Sequence, residues 1–109
     1  VEIKNETEIV DSFKREATYD YIGLWEIIHA IKEETSNTEN LMLNSLRIVQ
    51  LMLDAGFRAG FPDKSGANFE ELPDQSPDLI LSKVESEWIK LGREPNVGEI
   101  VWFDLKVSN

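Results

Sequence analysis

His29 is the only histidine in the chain, and at helical spacing Glu26 and Glu33 are its neighbours at i−3 and i+4. A histidine beside a carboxylate is the usual start of general acid–base chemistry. Tyr19 and Tyr21 lie close by in sequence and add two more proton carriers. An enzyme built from these parts would combine carboxylates with Tyr19, Tyr21 or His29 in a helix-lined cleft. The plainer expectation is a surface histidine on a helix shoulder. Paired carboxylates recur at Glu33-Glu34, at Glu70-Glu71, and at Glu85 with Glu87. Acid–base work needs two carboxylates in unequally desolvated surroundings. None of these pairs sits in an apolar stretch, so they read as a solvated face.

Metal chemistry has little to draw on. The chain has no cysteine, which excludes disulfides, thiolate metal sites and cysteine nucleophiles. Asp63, Ser65, Asn68 and Glu70 offer oxygen ligands. Gly66 nevertheless comes too soon after Asp63 for an EF-hand, and the ligand spacing does not follow. No phosphate-binding glycine loop, nucleophile elbow or zinc-protease motif occurs, and none of these residues spells a family motif. No metal and no cofactor is expected. Asn5-Glu6-Thr7 matches a glycosylation acceptor, a pattern that chance supplies often.

Charge narrows the partner. Twenty-one acidic side chains stand against eleven basic ones, a net charge of −10, which repels nucleic acid and anionic lipid and steers basic partners inward. A nucleic-acid reader needs a basic recognition helix. The candidate helices offer Arg47 alone, or Lys83 and Lys90 among Asp78, Glu85 and Glu87. No run approaches the ~20 apolar residues that span a bilayer, and no signal-peptide pattern opens the chain, so a cytoplasmic location is expected. Val1 in place of an initiator Met implies a trimmed or processed start.

The elements that must position these groups are legible from periodicity. Glu39 to Ala55 has apolar residues over most of a helical wheel: Leu41, Met42, Leu46, Ile48, Val49, Met52 and Leu53, extended by Leu51 and Ala55. Arg47, Gln50 and Asp54 form a narrow wet strip that Leu43 interrupts. Such a helix must be covered by the rest of the chain. Before it, Asn5 with Glu8 in capping-box position opens a first helix that carries Ile9, Val10, Phe13 and Ala17. A break at 18–20 follows, then a helix from Asp20 to Glu34 with Gly23 in its first turn. Ser36-Asn37-Thr38 links it to the central helix, which Gly56 closes. Phe57 to Phe61 reads as a short strand, and 62–76 as a long loop. Ser76-Pro77 starts a helix that Gly92 ends, with Leu79 and Ile89 off its apolar stripe. Glu99 to Val107 alternates as a strand, with Val101, Phe103, Leu105 and Val107 on one face and Ile100, Trp102, Asp104 and Lys106 on the other.

The fold class is therefore α+β and mostly α-helical, in a single domain over residues 1–109. Three to four helices surround the central one, with a two-stranded sheet (57–61 and 99–107) on one side. Trp102, facing away from the core among Glu94, Glu99 and Asp104, is an aromatic centre with a carboxylate rim. The leading functional expectation is a non-catalytic domain that docks on a basic partner protein, most concretely an immunity- or antitoxin-like inhibitor. Its binding residues would be Trp102, Asp104, Glu99, Glu70, Glu71 and Asp74. The alternatives are the small enzyme above and a self-associating homo-oligomer with Leu79 and Ile89 at its seam.

Overall fold

The computed structural model describes residues 5–34 and 39–105. Among these residues four helices and four strands follow in the order α1 (Glu6–Glu16), β1 (Ile22–Gly23), α2 (Leu24–Glu34), α3 (Leu41–Asp54), β2 (Phe57–Pro62), β3 (Phe69–Glu71), α4 (Pro77–Leu91) and β4 (Trp102–Leu105). The strands form one antiparallel sheet in the order β1-β4-β2-β3. The class is α+β, and the sheet has four strands where periodicity predicts two. The 36–38 link and the predicted strand end at 106–107 lie outside the described residues.

α3 touches α1, α2, α4 and β2. Its buried face is narrower than the wheel predicts. Ile48, Val49 and Met52 are buried together with Asn44 and Ser45, while Leu41, Met42, Leu46, Leu51 and Leu53 are half-buried at its margins. The Ser45 hydroxyl donates to the Leu41 carbonyl at 2.8 Å, which lets a polar residue enter the core without an unmet bond. Ile22, Phe57, Ala59 and Phe103 carry the sheet's inner face into that core.

Four local expectations change, each for a physical reason. Asn5 adopts a left-handed conformation (φ 61°) and forms no side-chain cap on α1. Its amide instead donates to Glu34 Oε1 at 2.8 Å and ties the start of α1 to the end of α2. The chain breaks at 17–20 as the sequence implies, but Ile22 and Gly23 pair with Phe103 and Trp102 as an edge strand rather than opening a helix. α2 then starts at Leu24, and Glu26 Oε2 accepts the Gly23 N–H at 2.8 Å. Within 62–76, Phe69–Glu71 pairs back on β2. Beyond the end of β3, the Gln75 side-chain amide stands in for a strand residue: it accepts from the Ala59 N–H and donates to the Ala59 carbonyl, both at 2.8 Å.

The fourth change concerns β4. Ile100 has φ 71°, a left-handed conformation that β-branched residues rarely adopt, and the Val101 N–H closes on the Glu99 carbonyl at 2.9 Å around it. This tight turn breaks the alternation. Ile100 and Val101 are both buried, regular pairing starts at Trp102, and Glu99 leaves the strand altogether.

Candidate interaction surface

Register alone assigns the outer face of the sheet. Trp102 lies across from Gly23 on one side and Gly60 on the other, and Asp104 lies across from Arg58. Alternation places Arg58, Gly60, Trp102, Asp104 and Glu71 on the face opposite Ala59 and Phe103. The side chains here are half-buried, unlike the fully buried inner row.

Two glycines shape this face by close approach. A Cβ on Gly60 would collide with the Glu70 carbonyl oxygen and lie 2.9 Å from Glu71 Cα. At this point β3 presses on β2 where a side chain would stand. A Cβ on Gly23 would meet Trp25 Cδ1 and Nε1 at 2.7 Å and Trp102 Cε3 at 3.5 Å. The two indoles converge over Gly23, so Trp102 is partly packed by α2 rather than standing free. The buried Trp25 Nε1 has no hydrogen-bond partner among the described residues.

The aromatic centre is elsewhere on the same side. Tyr21 and Phe69, from opposite ends of the strand order, bring their rings to 5.0 Å at a tilt of 43°. Burial raises the Tyr21 phenol above its ordinary value, and the charges of Asp104, Asp63 and Asp20 raise it further. The three carboxylates belong to three separate segments of the chain. Asp104 forms no ion pair among the described residues, because Arg58 opposite it binds Glu71 at 2.9 Å.

The six predicted binding residues separate accordingly. Trp102, Asp104 and Glu71 share the outer face, with Glu71 held by Arg58. Glu70 lies across from Phe61 and so leaves by the other face. Asp74 accepts the Ser76 N–H at 2.8 Å beside the start of α4. Glu99 binds both terminal nitrogens of Arg93, at 2.7 and 2.8 Å, and the Asn96 N–H at 2.6 Å. Arg93 and the Asn96 amide together hold its carboxyl down at about 2. Glu94 is taken by Lys32 at 3.1 Å. Of the three rim carboxylates, Glu94 and Glu99 are thus tied into ion pairs, and Asp104 stays on the outer face. Tyr21, Phe69, Asp20 and Asp63 form the cluster instead, and sequence periodicity carries no signal for a contact between residues so far apart.

The other chemical candidates resolve simply. His29 pairs with Glu33 at 3.1 Å, with both side chains mostly exposed. Tyr19 is 91% exposed on the turn after α1. The would-be calcium loop is tied by its own Asp63, which accepts from the Ser65 hydroxyl (2.6 Å) and from the Asn68 amide (3.1 Å). Those bonds hold the Asp63 carboxyl down at about 2. Among the described residues no three His, Asp or Glu side chains are grouped to hold a metal ion, and no helix is long and apolar enough to cross a membrane.

One carboxylate escapes the sequence reading. Glu26 is half-buried at the α1–α2 junction, and its carboxyl is raised to about 7 by burial first and then by a hydrogen bond with Glu16, against the lowering effect of the Gly23 N–H. Glu16 and Asp20 add like charge from the end of α1 and the turn after it. No known protein family matches this chain, and neither curated proteins nor solved structures yield a match.

Proposed function

We propose that this protein is a non-catalytic binding domain that docks on a basic protein surface through the outer face of its sheet. The observation that carries this reading is the Tyr21–Phe69 ring pair on the side of the sheet that carries Asp104, which forms no ion pair among the described residues; the charges of Asp104, Asp63 and Asp20 raise the Tyr21 phenol. An arginine or lysine of a partner gains two attractions there, one from the carboxylates and one from the ring faces. The net charge of −10 supplies the long-range attraction. An immunity- or antitoxin-like inhibitor, acting in the cytoplasm on a partner with an exposed basic site, is its most concrete form. In this reading α3 is the floor, the sheet is the working layer, and the 93–99 turn with its paired charges is a structural clamp.

A nuclear magnetic resonance titration with an oligo-lysine peptide tests the face without knowledge of the partner. At low salt, shifts concentrated at Tyr21, Phe69, Asp104 and the Trp102 indole are expected, and they fade between about 50 and about 500 mM salt. Shifts spread evenly over all exposed carboxylates would sink the assignment.

A further inference from the structure

α4 buries Ile80, Val84 and Trp88. Its opposite side carries two of the most exposed large apolar residues in the protein, Leu79 at 55% and Ile89 at 63%. Ser82 and Ser86, both exposed, lie between them. The steps from Leu79 to Ser82 to Ser86 to Ile89 are three, four and three, the a/d spacing of a coiled-coil seam. At about 100° per residue these four positions share one arc, centred opposite the buried stripe. The Ser86 hydroxyl is already satisfied by the Ser82 carbonyl at 2.8 Å, so its polar group can enter an interface without an unmet bond.

The flanks fix the kind of partner. Asp78 and Glu85 occupy the positions just before the seam residues Leu79 and Ser86, and Lys83 and Lys90 those just after Ser82 and Ile89. In a parallel, in-register pair, each flanking acid faces the lysine five positions further along the other helix. Asp78 then meets Lys83 of the second copy, and Glu85 meets Lys90. An antiparallel pair would set acid against acid and lysine against lysine. Glu85 and Lys90 are exposed and form no ion pair among the described residues, whereas Lys83 already pairs with Glu87. The Glu85–Lys90 contact is thus the one ready to form.

We propose that α4 pairs in parallel and in register with α4 of a second copy of this chain, through Leu79, Ser82, Ser86 and Ile89. The dimer is weak, because half of its seam is serine, and its seam shares no residue with the outer face of the sheet.

The chain has no cysteine, so one introduced thiol reports the geometry. Ser82→Cys places two thiols across the same layer of a parallel pair. Under mild oxidation it should form the disulfide-linked dimer at least roughly tenfold faster than Lys64→Cys, a control in the exposed β2–β3 loop. Equal rates would overturn the proposal. So would fast linking only when Ser82→Cys and Ser86→Cys proteins are mixed, the mark of an antiparallel pair. Lys90→Glu should slow the linking, and adding Glu85→Lys should restore it; failure of the double exchange to restore it would overturn the parallel register. All the substituted side chains are exposed, which leaves folding out of the comparison.

Discussion

On one side of the Ile100 turn, Glu99 takes both terminal nitrogens of Arg93 and a backbone N–H. On the other side, Asp104 stands across from Arg58, whose guanidinium has turned to Glu71. The two residues carry the same group and lie close together in sequence. What separates them is the supply of cations. The 93–99 turn has its own Arg93 and Lys32 from α2, and uses both. Among the described residues the outer face has one guanidinium for Glu71 and Asp104, and the charges of Asp104, Asp63 and Asp20 act on the Tyr21 phenol. Ion-paired Glu99 and unpaired Asp104 therefore differ in their neighbours alone.

The largest test of this contrast removes the surface on which the unpaired group stands. Gly60→Ala puts a methyl into the Glu70 backbone, with no flexible side chain to yield. β3 must lift from β2, which takes Phe69 away from Tyr21 and Glu71 away from Arg58. A loss of about 2–3 kcal/mol in denaturant unfolding is expected. The Arg93–Glu99 pair draws nothing from β3 and should persist in the folded fraction. A cost near zero would mean that β3 does not press on β2, and the outer face would lose its shape.

Much of this was legible in advance, and the failures have causes. The α3 pattern, the stop at Gly92, the Ser76-Pro77 start and the exposure of Leu79 and Ile89 all follow from local spacing, which is where sequence is informative. β1 and β3 are too short to alternate, and Glu70-Glu71 looks like solvent-facing loop. Both strands exist because β4 and β2 offer them unpaired edges, a fact about distant residues. The Ile100 turn hides for the opposite reason. A β-branched residue inside an alternating run argues for extended backbone, yet burial of Ile100 and Val101 together outweighs the strain. The placement of Phe69, Glu70, Glu71 and Glu99 depends on these contacts, which local spacing does not carry.

A smaller effect separates the two regions by pH. Glu26 is raised to about 7 in the folded protein, above its ordinary carboxyl value, so folding favours its protonated form. Its stabilising contribution is complete in acid below the unfolded value and is lost as pH rises toward 7 and beyond. Because the group is half-exposed and solvent screens it, the loss amounts to roughly 1 kcal/mol rather than the full value of the shift. Glu26→Gln keeps an acceptor for the Gly23 N–H and a donor for Glu16, and should be more stable than the parent at pH 8 and equal to it at pH 4. Glu99 runs the other way: its contribution is present above the ordinary carboxyl value and disappears only as pH falls through about 2. A parent protein with no decline in stability from pH 5 to pH 8 would remove Glu26 from this account.

The finest test exchanges the two contrasted carboxylates one at a time. Glu99→Gln breaks the two-nitrogen grip on Arg93, so the thermal midpoint should fall, and less so at high salt, where the pair is already screened. Asp104→Asn gives up no ion pair among the described residues, so the midpoint should hold or rise slightly. It should instead change a titration. Asp104 is the largest of the charges that lift the Tyr21 phenol, so its removal should bring the tyrosinate absorbance transition to lower pH, an effect Glu99→Gln should not produce. Oligo-lysine binding should weaken with Asp104→Asn and survive Glu99→Gln. If both substitutions instead lower the midpoint and leave the phenol where it was, Asp104 is a clamp like Glu99, and the outer face loses the group that makes it a receptor for positive charge.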